Sequence, residues 1–306
     1  MIFLQLLLLV VGFAMLVKGA DWFVDGTSGI ARKLGIPQLV VGLTIVAMGT
    51  SAPEAAVSIT AALKNNASIA VGNVVGSNIL NILIILGITA VITSVAIQKS
   101  TLMIEIPYMI FITIVLIIMG MAGGSISRID GVILWVLFII YLVYLFFLAK
   151  NGKEEDTEVE KSTWKLIVSA VVGGVVVVLG SNVTVDSATE IAKILGMSER
   201  FIGLTIVALG TSLPELVTSV TAARKGNADI AIGNIVGSNI FNILFVLGTS
   251  ALITPVPYEA SFLIDGIIAV AAGVLLWIAV FRKRELRRFW GIIMLLCYAA
   301  YFVYLL

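Results

Sequence analysis

Along nearly the whole chain, apolar runs of about twenty residues or more alternate with short polar breaks. The runs lie at 2–31, 36–63, 70–93, 103–122, 131–148, 164–193, 200–223, 230–253, 262–281 and 289–306. None alternates residue by residue as a barrel strand does, and each is long enough to cross a bilayer as a helix. The pattern therefore predicts an all-α polytopic membrane protein with ten transmembrane helices. One markedly hydrophilic stretch, KNGKEEDTEVEKS at 150–162, interrupts it. It divides the chain into a first five-helix unit at 1–149, a solvated linker at 150–163 and a second five-helix unit at 164–306. The first run lacks the cleavage pattern of a signal peptide and continues as a spanning helix.

Composition agrees. Of the 306 residues 60% are hydrophobic and 12% charged, about half the charge of a soluble domain. Histidine is absent, which removes histidine metal sites and histidine proton relays. The one cysteine, Cys297, cannot form an internal disulfide and is expected to pack within the last helix. A net charge of +1 gives no reason to expect a nucleic-acid partner.

The two units are copies. Residues 42–83 align without a gap on 203–244, at a constant offset of 161 and with 30 identities in 42 positions. The same offset pairs VDGTSGIARKLG, from Val24, with VDSATEIAKILG, from Val185. Each unit has an odd number of spans, so the second enters the membrane upside down, as in the inverted repeats of secondary transporters. One set of loops holds 14 Lys and Arg and the other four. The positive-inside rule then places the linker in the cytoplasm of a cell (plasma) membrane protein and both termini outside.

Two matching interruptions carry the chemistry. GTSAPE at 49–54 and GTSLPE at 210–215 each fall inside an apolar run. Proline lacks an amide hydrogen and its ring clashes with the carbonyl four residues back, so helices 2 and 7 are predicted to be broken. A carboxylate near mid-span costs roughly 2.5–3.5 kcal/mol on insertion scales. That cost is incurred at both Glu54 and Glu215, too deep for a glutamate to reach water, which argues against an ordinary proline kink. In helix 3, Asn73, Ser77 and Asn81 form one stripe at i, i+4 and i+8, and Asn234, Ser238 and Asn242 repeat it. Gly72 with Gly76, and Gly233 with Gly237, make GxxxG pairs suited to close helix approach. Those glycines, with Asn73 and Asn234, are read as packing and interhelical bonding. Every candidate ligand is an oxygen, which suits hard cations, calcium and sodium first, without excluding protons or potassium. No nucleophile–base pair or histidine metal motif suggests an enzyme, and the inverted repeat without a pore-loop pattern argues against a passive channel.

GTSAPE…GNVVGSNILN and GTSLPE…GNIVGSNIFN resemble the two alpha-repeats of the sodium/calcium exchangers, in the calcium/cation antiporter superfamily. The resemblance spans nearly all of both halves. It implies a central bundle of the four motif helices and an antiporter with no cofactor, whose transported ions are calcium and sodium. By position, calcium would be held by Glu54, Glu215 and the carbonyls of Thr50 and Thr211. Sodium would use Ser51, Ser77, Ser212, Ser238 and the carbonyls of Ala47 and Ala208, with Asn81 and Asn242 lining the middle. Some relatives, including potassium-dependent ones, carry Asp at one of these Asn positions; both are Asn here, which argues against potassium dependence. Proton-driven relatives, the alternative, usually show a GNxxE-type motif where this chain has GTSAPE. The resemblance also implies that helices 1 and 6 slide across the bundle. Asp25 and Asp186, near the ends of those helices, are read as interfacial anchors or helix-end partners. Glu105 and Asp265 are read as solvated acids at the starts of helices 4 and 9. Two carboxylates give the site a bare charge of −2, which one calcium brings to 0 and three sodium ions to +1. The expectation is three sodium ions per calcium, electrogenic, with calcium, sodium and the lipid bilayer as partners, no nucleic acid, and a monomer as one compatible form.

Overall fold

The computed structural model describes residues 2–64, 66–152, 162–196 and 208–305. The first half contains α1 (Ile2–Lys33), α2 (Gln38–Thr50), α3 (Ala52–Leu63), α4 (Ser68–Ile92), α5 (Thr101–Gly123) and α6 (Arg128–Asn151). The second contains α7 (Thr163–Ile194), α8 (Ala208–Thr211), α9 (Leu213–Arg224), α10 (Ala228–Ile253), α11 (Ala260–Phe281) and α12 (Arg288–Leu305). Among the described residues eight helices are long and apolar enough to span a membrane, and the pair α2–α3, bent by 52°, meets the same measure only when its two helices are taken together. The span expected at 200–223 is described from Ala208 onward, and residues 153–161 of the linker lie outside the described residues.

Local sequence explains the boundaries. Ser127 caps α6 through a reciprocal pair of bonds: the Asp130 amide donates to its hydroxyl at 3.2 Å, and the Ser127 amide donates to Asp130 Oδ2 at 2.8 Å. Gly124, with φ 65°, ends α5 in the left-handed conformation that glycine adopts without strain. Ser51, at φ −82° and ψ 8°, is the hinge between α2 and α3.

Close packing of α1 on α7 is written in small residues. A β-carbon at Gly12 would lie 2.9 Å from the Thr184 nitrogen; at Gly19, 2.8 Å from the Val177 nitrogen; at Gly26, 2.3 Å from the Ala170 nitrogen. Only glycine lets the backbones come this near. Partner numbers fall along α7 as they rise along α1, so the two first helices of the repeats run antiparallel, as inversion requires.

α10 is almost wholly buried and, with α4, α2–α3 and α9, forms the centre of the molecule. Gly233 and Gly237 admit the α2 backbone: β-carbons there would lie 3.0 Å from the Leu39 carbonyl and 2.7 Å from the Leu43 carbonyl. The expected close approach thus holds for this GxxxG pair. The matching neighbours of Gly72 and Gly76, residues 200 and 204, lie outside the described residues. Two short antiparallel ribbons join the halves. Val95–Ala96 (β1) pairs with Glu285–Leu286 (β4), and Ser125–Ile126 (β2) pairs with Val256–Pro257 (β3).

Three expectations need correction. Glu105 is not solvated: it is fully buried inside a spanning helix, where the Tyr144 hydroxyl donates to it. Asp265 lies within α11 rather than at its start and accepts the Tyr301 hydroxyl at 2.8 Å. Hydropathy cannot see such pairing, because the tyrosine that shields the acid is itself counted as apolar. Cys297 is exposed, bordering a cleft between α12 and α11, rather than packed in the interior.

Candidate cation site

The two proline breaks bring two carboxylates to the middle of the bundle. Pro53 and Pro214 occupy the first turns of α3 and α9, and Glu54 and Glu215 follow immediately, each 1% exposed. The repeats are interleaved at this point. Ser51 donates to Glu215 Oε1 at 2.8 Å, and Ser212 donates to Glu54 Oε1 at 3.4 Å. Each acid is therefore oriented by a hydroxyl from the other half of the chain.

The stripe residues divide by depth. Asn73 donates to the Glu54 carbonyl at 3.2 Å and to Ser58 at 2.9 Å, and Asn234 donates to the Glu215 carbonyl at 3.4 Å and to Ser219 at 2.9 Å. These bonds hold α3 on α4 and α9 on α10, which is the packing role expected of them. Thr50 donates to Asn234 Oδ1 at 2.9 Å, adding a tie between halves. Ser238 is fully buried and donates to the Ala47 carbonyl at 3.3 Å; that carbonyl also accepts the Ser51 amide at 3.0 Å. Ser77 is buried at the matching position on α4. Thr211 ends α8, and Ala208 begins it at the edge of the described residues.

Asn81 and Asn242 are buried, and each opens a π-helical turn, at Asn81–Leu86 and Asn242–Leu247. Such turns widen a helix locally and often mark functional positions. Asn81 Nδ2 donates to Asn239 Oδ1 at 2.9 Å, and Asn242 Nδ2 donates to Asn78 Oδ1 at 3.2 Å. Asn78 and Asn239 in turn donate to each other's carbonyls at 3.1 Å. The four asparagines form a crossed square across the pseudo-two-fold axis. It engages the amide nitrogen of Asn81 and of Asn242 in one bond each, which sets the way each amide faces.

Among the described residues, four buried oxygens of this cluster have no hydrogen-bond partner: Glu54 Oε2, Glu215 Oε2, Asn81 Oδ1 and Asn242 Oδ1. An orphaned buried acceptor costs about 1–3 kcal/mol, more when charged. A cation would satisfy acceptors of this kind and a hydrogen-bond donor is lacking. No group of three His, Cys, Asp or Glu occurs among the described residues, so neutral oxygens would have to complete any ligand set. That composition suits calcium or sodium rather than a transition metal.

Sequence reasoning missed Asn78, Asn239, Ser58 and Ser219. The signal was present, since all four recur at the offset of 161. Asn78 and Asn239 lie one position beyond Ser77 and Ser238, off the stripe, and a single-face reading passes over them.

Comparison with known proteins gives the family. The family model for the sodium/calcium exchanger protein matches residues 4–147 and 165–306. The chain is 36% identical to the inner membrane protein YrbG of Escherichia coli, over 88% of each chain. It is 33% identical to the sodium/calcium exchanger MaX1 of Methanosarcina acetivorans, over 100% of this chain and 99% of that one. The structure superposes on the sodium-calcium exchanger NCX_Mj, solved without sodium or calcium, with a TM-score of 0.88, 33% identity and full coverage of both chains. With the family model covering both halves and two crossed acids at the centre, the chain belongs to the sodium/calcium exchanger family, and it is a membrane transporter of the cation/calcium antiporter kind, not an enzyme.

Proposed function

We propose that the chain exchanges sodium for calcium by alternating access, three sodium ions for one calcium, at a site built from Glu54, Glu215 and the oxygens around them. The observation that carries this is the set of four buried acceptors without donors, two of them carboxylate oxygens. Glu54, Glu215 and the carbonyls of Thr50 and Thr211 hold calcium. Ser51, Ser212, Ser77, Ser238 and the carbonyls of Ala47 and Ala208 serve sodium, with Asn81 and Asn242 lining the middle. When sodium takes the Ala47 carbonyl, the Ser238 hydroxyl gives up its bond there and turns its own oxygen to the ion. Two protons alone would neutralise the two acids and would leave this wealth of hydroxyl and amide oxygens without a purpose.

The basic loops support a plasma-membrane orientation with the 150–163 linker in the cytoplasm and both termini outside. One cycle moves one net positive charge, worth about 2.3 kcal/mol per 100 mV. The test is calcium uptake into sodium-loaded proteoliposomes at potentials set by potassium and valinomycin. Outgoing sodium carries the extra charge, so an inside-positive potential speeds uptake and an inside-negative one slows it. Uptake indifferent to potential would refute the stoichiometry. Uptake driven equally by a proton gradient without sodium would replace sodium with protons as the coupling ion.

A further inference from the structure

The repeats are alike in sequence but not in how their first helices dock. The face of α9 carrying Leu213 and Val217 is covered by Leu16 and Ala20 of α1 with Val177 of α7. At the offset of 161 the matching positions of α3 are Ala52 and Ala56, and both are exposed, as is Thr60 one turn on. At the end of the covered face, Lys225 Nζ lies 2.9 Å from Asp25 Oδ1 and 3.1 Å from Asp21 Oδ1, and donates to the Asp21 carbonyl at 3.1 Å. One lysine at the end of α9 thus grips two carboxylates and a carbonyl of α1.

The same offset sends Lys225 to Lys64, Asp25 to Asp186 and Asp21 to Asn182. These counterparts are present but not engaged. Lys64 and Asp186 are both exposed, and among the described residues neither has an ion-pair partner. Lys64 borders a cleft of about 620 Å³ with Ala56, Thr60 and Asn66, over the uncovered face of α3. Because the repeats are inverted, the two lysines stand at opposite ends of the bundle.

We infer that Lys225 with Asp21 and Asp25, and Lys64 with Asp186, are two alternating ion-pair latches, one closed in each facing state. Inverted repeats exchange conformations when the protein turns over. When α1 leaves α9, α7 comes to cover α3, and Asp186 moves toward Lys64 as Asp25 leaves Lys225. The closed latch in this structure has two acids and the open one has one acid and Asn182. The pair is unequal, and it biases the resting population toward the state with the Lys225 end shut. This inference rests on the alternating-access reading of the site.

The test uses the full chain with Cys297 replaced by Ser and one reporter cysteine at the end far from the altered charge. For Lys225→Gln the reporter is Thr60→Cys, and for Lys64→Gln it is Thr221→Cys, labelled by a water-soluble thiol reagent without calcium. Partly exposed ion pairs are weak, so each variant should shift labelling about two- to fivefold. Lys225→Gln should slow labelling at position 60, because the state that exposes it loses its latch. Lys64→Gln should slow labelling at position 221. Exchanging the charges, Lys225→Asp with Asp25→Lys, should return position 60 toward its original rate. Unchanged labelling in the single variants, or a Lys225→Gln effect that the exchange does not reverse, overturns the latch. Calcium uptake is read on the same proteins: sodium-driven uptake with unmoved labelling sinks the latch alone, whereas absent uptake by the parent chain sinks the antiporter reading beneath it.

Discussion

Changing Glu54 to Gln tests the site with little change in shape. The side chain is 1% exposed; one oxygen accepts the Ser212 hydroxyl at 3.4 Å, and the other has no partner among the described residues. The variant halves the site's bare charge and can place an amide nitrogen where a carboxylate oxygen has no hydrogen-bond partner among the described residues. A calcium ion about 2.4 Å from a carboxylate oxygen gains roughly 14 kcal/mol at an effective dielectric of about 20. Most of this is cancelled by stripping water from the ion and from the acid. What remains when one partner of a buried charge pair is removed is about 3–5 kcal/mol. At about 1.4 kcal/mol per factor of ten, calcium affinity should fall by roughly two to four orders of magnitude. The assay is calcium titration of purified protein by calorimetry, paired with uptake into sodium-loaded vesicles. Glu105→Gln is the internal control, since it is an equally buried glutamate in a spanning helix but is held by Tyr144 rather than by the crossed serines. It should leave calcium affinity within a few-fold of the parent. A Glu54→Gln protein that binds calcium within tenfold of the parent, or a Glu105→Gln protein that loses it, would refute the assignment.

Other expectations follow from the packing and the topology. Asn239→Ala removes the acceptor that orients Asn81 and the donor to the Asn78 carbonyl, so it should lower unfolding stability by about 1–3 kcal/mol and weaken ion binding as well; a fully stable, fully active variant would show that the asparagine square is dispensable. Gly19→Val forces a branched side chain against the Val177 nitrogen and the Gly173 carbonyl. Overpacking of this kind costs about 1–3 kcal/mol. A thermal-shift assay should register it, and an unshifted melting temperature would mean that α1 and α7 can part freely. A cysteine at Ser162, in a chain with Cys297 replaced, should resist an impermeant thiol reagent applied to intact cells, and ready labelling from outside would reverse the proposed orientation.

Much of this architecture could be read before any coordinate was known, because the bilayer leaves so few choices. Apolar runs become helices since nothing else satisfies the backbone in hydrocarbon. The repeated break became a site because a proline and an acid are costly at that depth. What escaped the reading depends on pairing at long range. Glu105 looked like a solvated acid because its partner, Tyr144, is 39 positions away and counts as apolar. The asparagine square escaped because Asn78 bonds across the axis to Asn239, 161 positions on, and helical periodicity describes only one helix at a time. The π-helical turns beginning at Asn81 and Asn242 have no proline or glycine at their first residue to announce them.

The two short ribbons bear on ancestry. Each pairs a strand of one half with a strand of the other: β1 of the first half with β4 of the second, and β2 of the first with β3 of the second. Under the repeat operation β1 becomes β3 and β2 becomes β4, so either ribbon is the image of the other. If the halves were separate, identical polypeptides, the same four strands would make the same two ribbons between two molecules lying head to tail in the membrane. Such a homodimer requires one gene product to insert in both directions, which balanced loop charges permit and the lopsided loops of this chain do not. Fusion frees each half to settle its own charge bias, and the 150–162 segment is where that history would have been joined. A gene cut at that segment should therefore yield two fragments, neither stable alone, that restore the transporter when made in one cell.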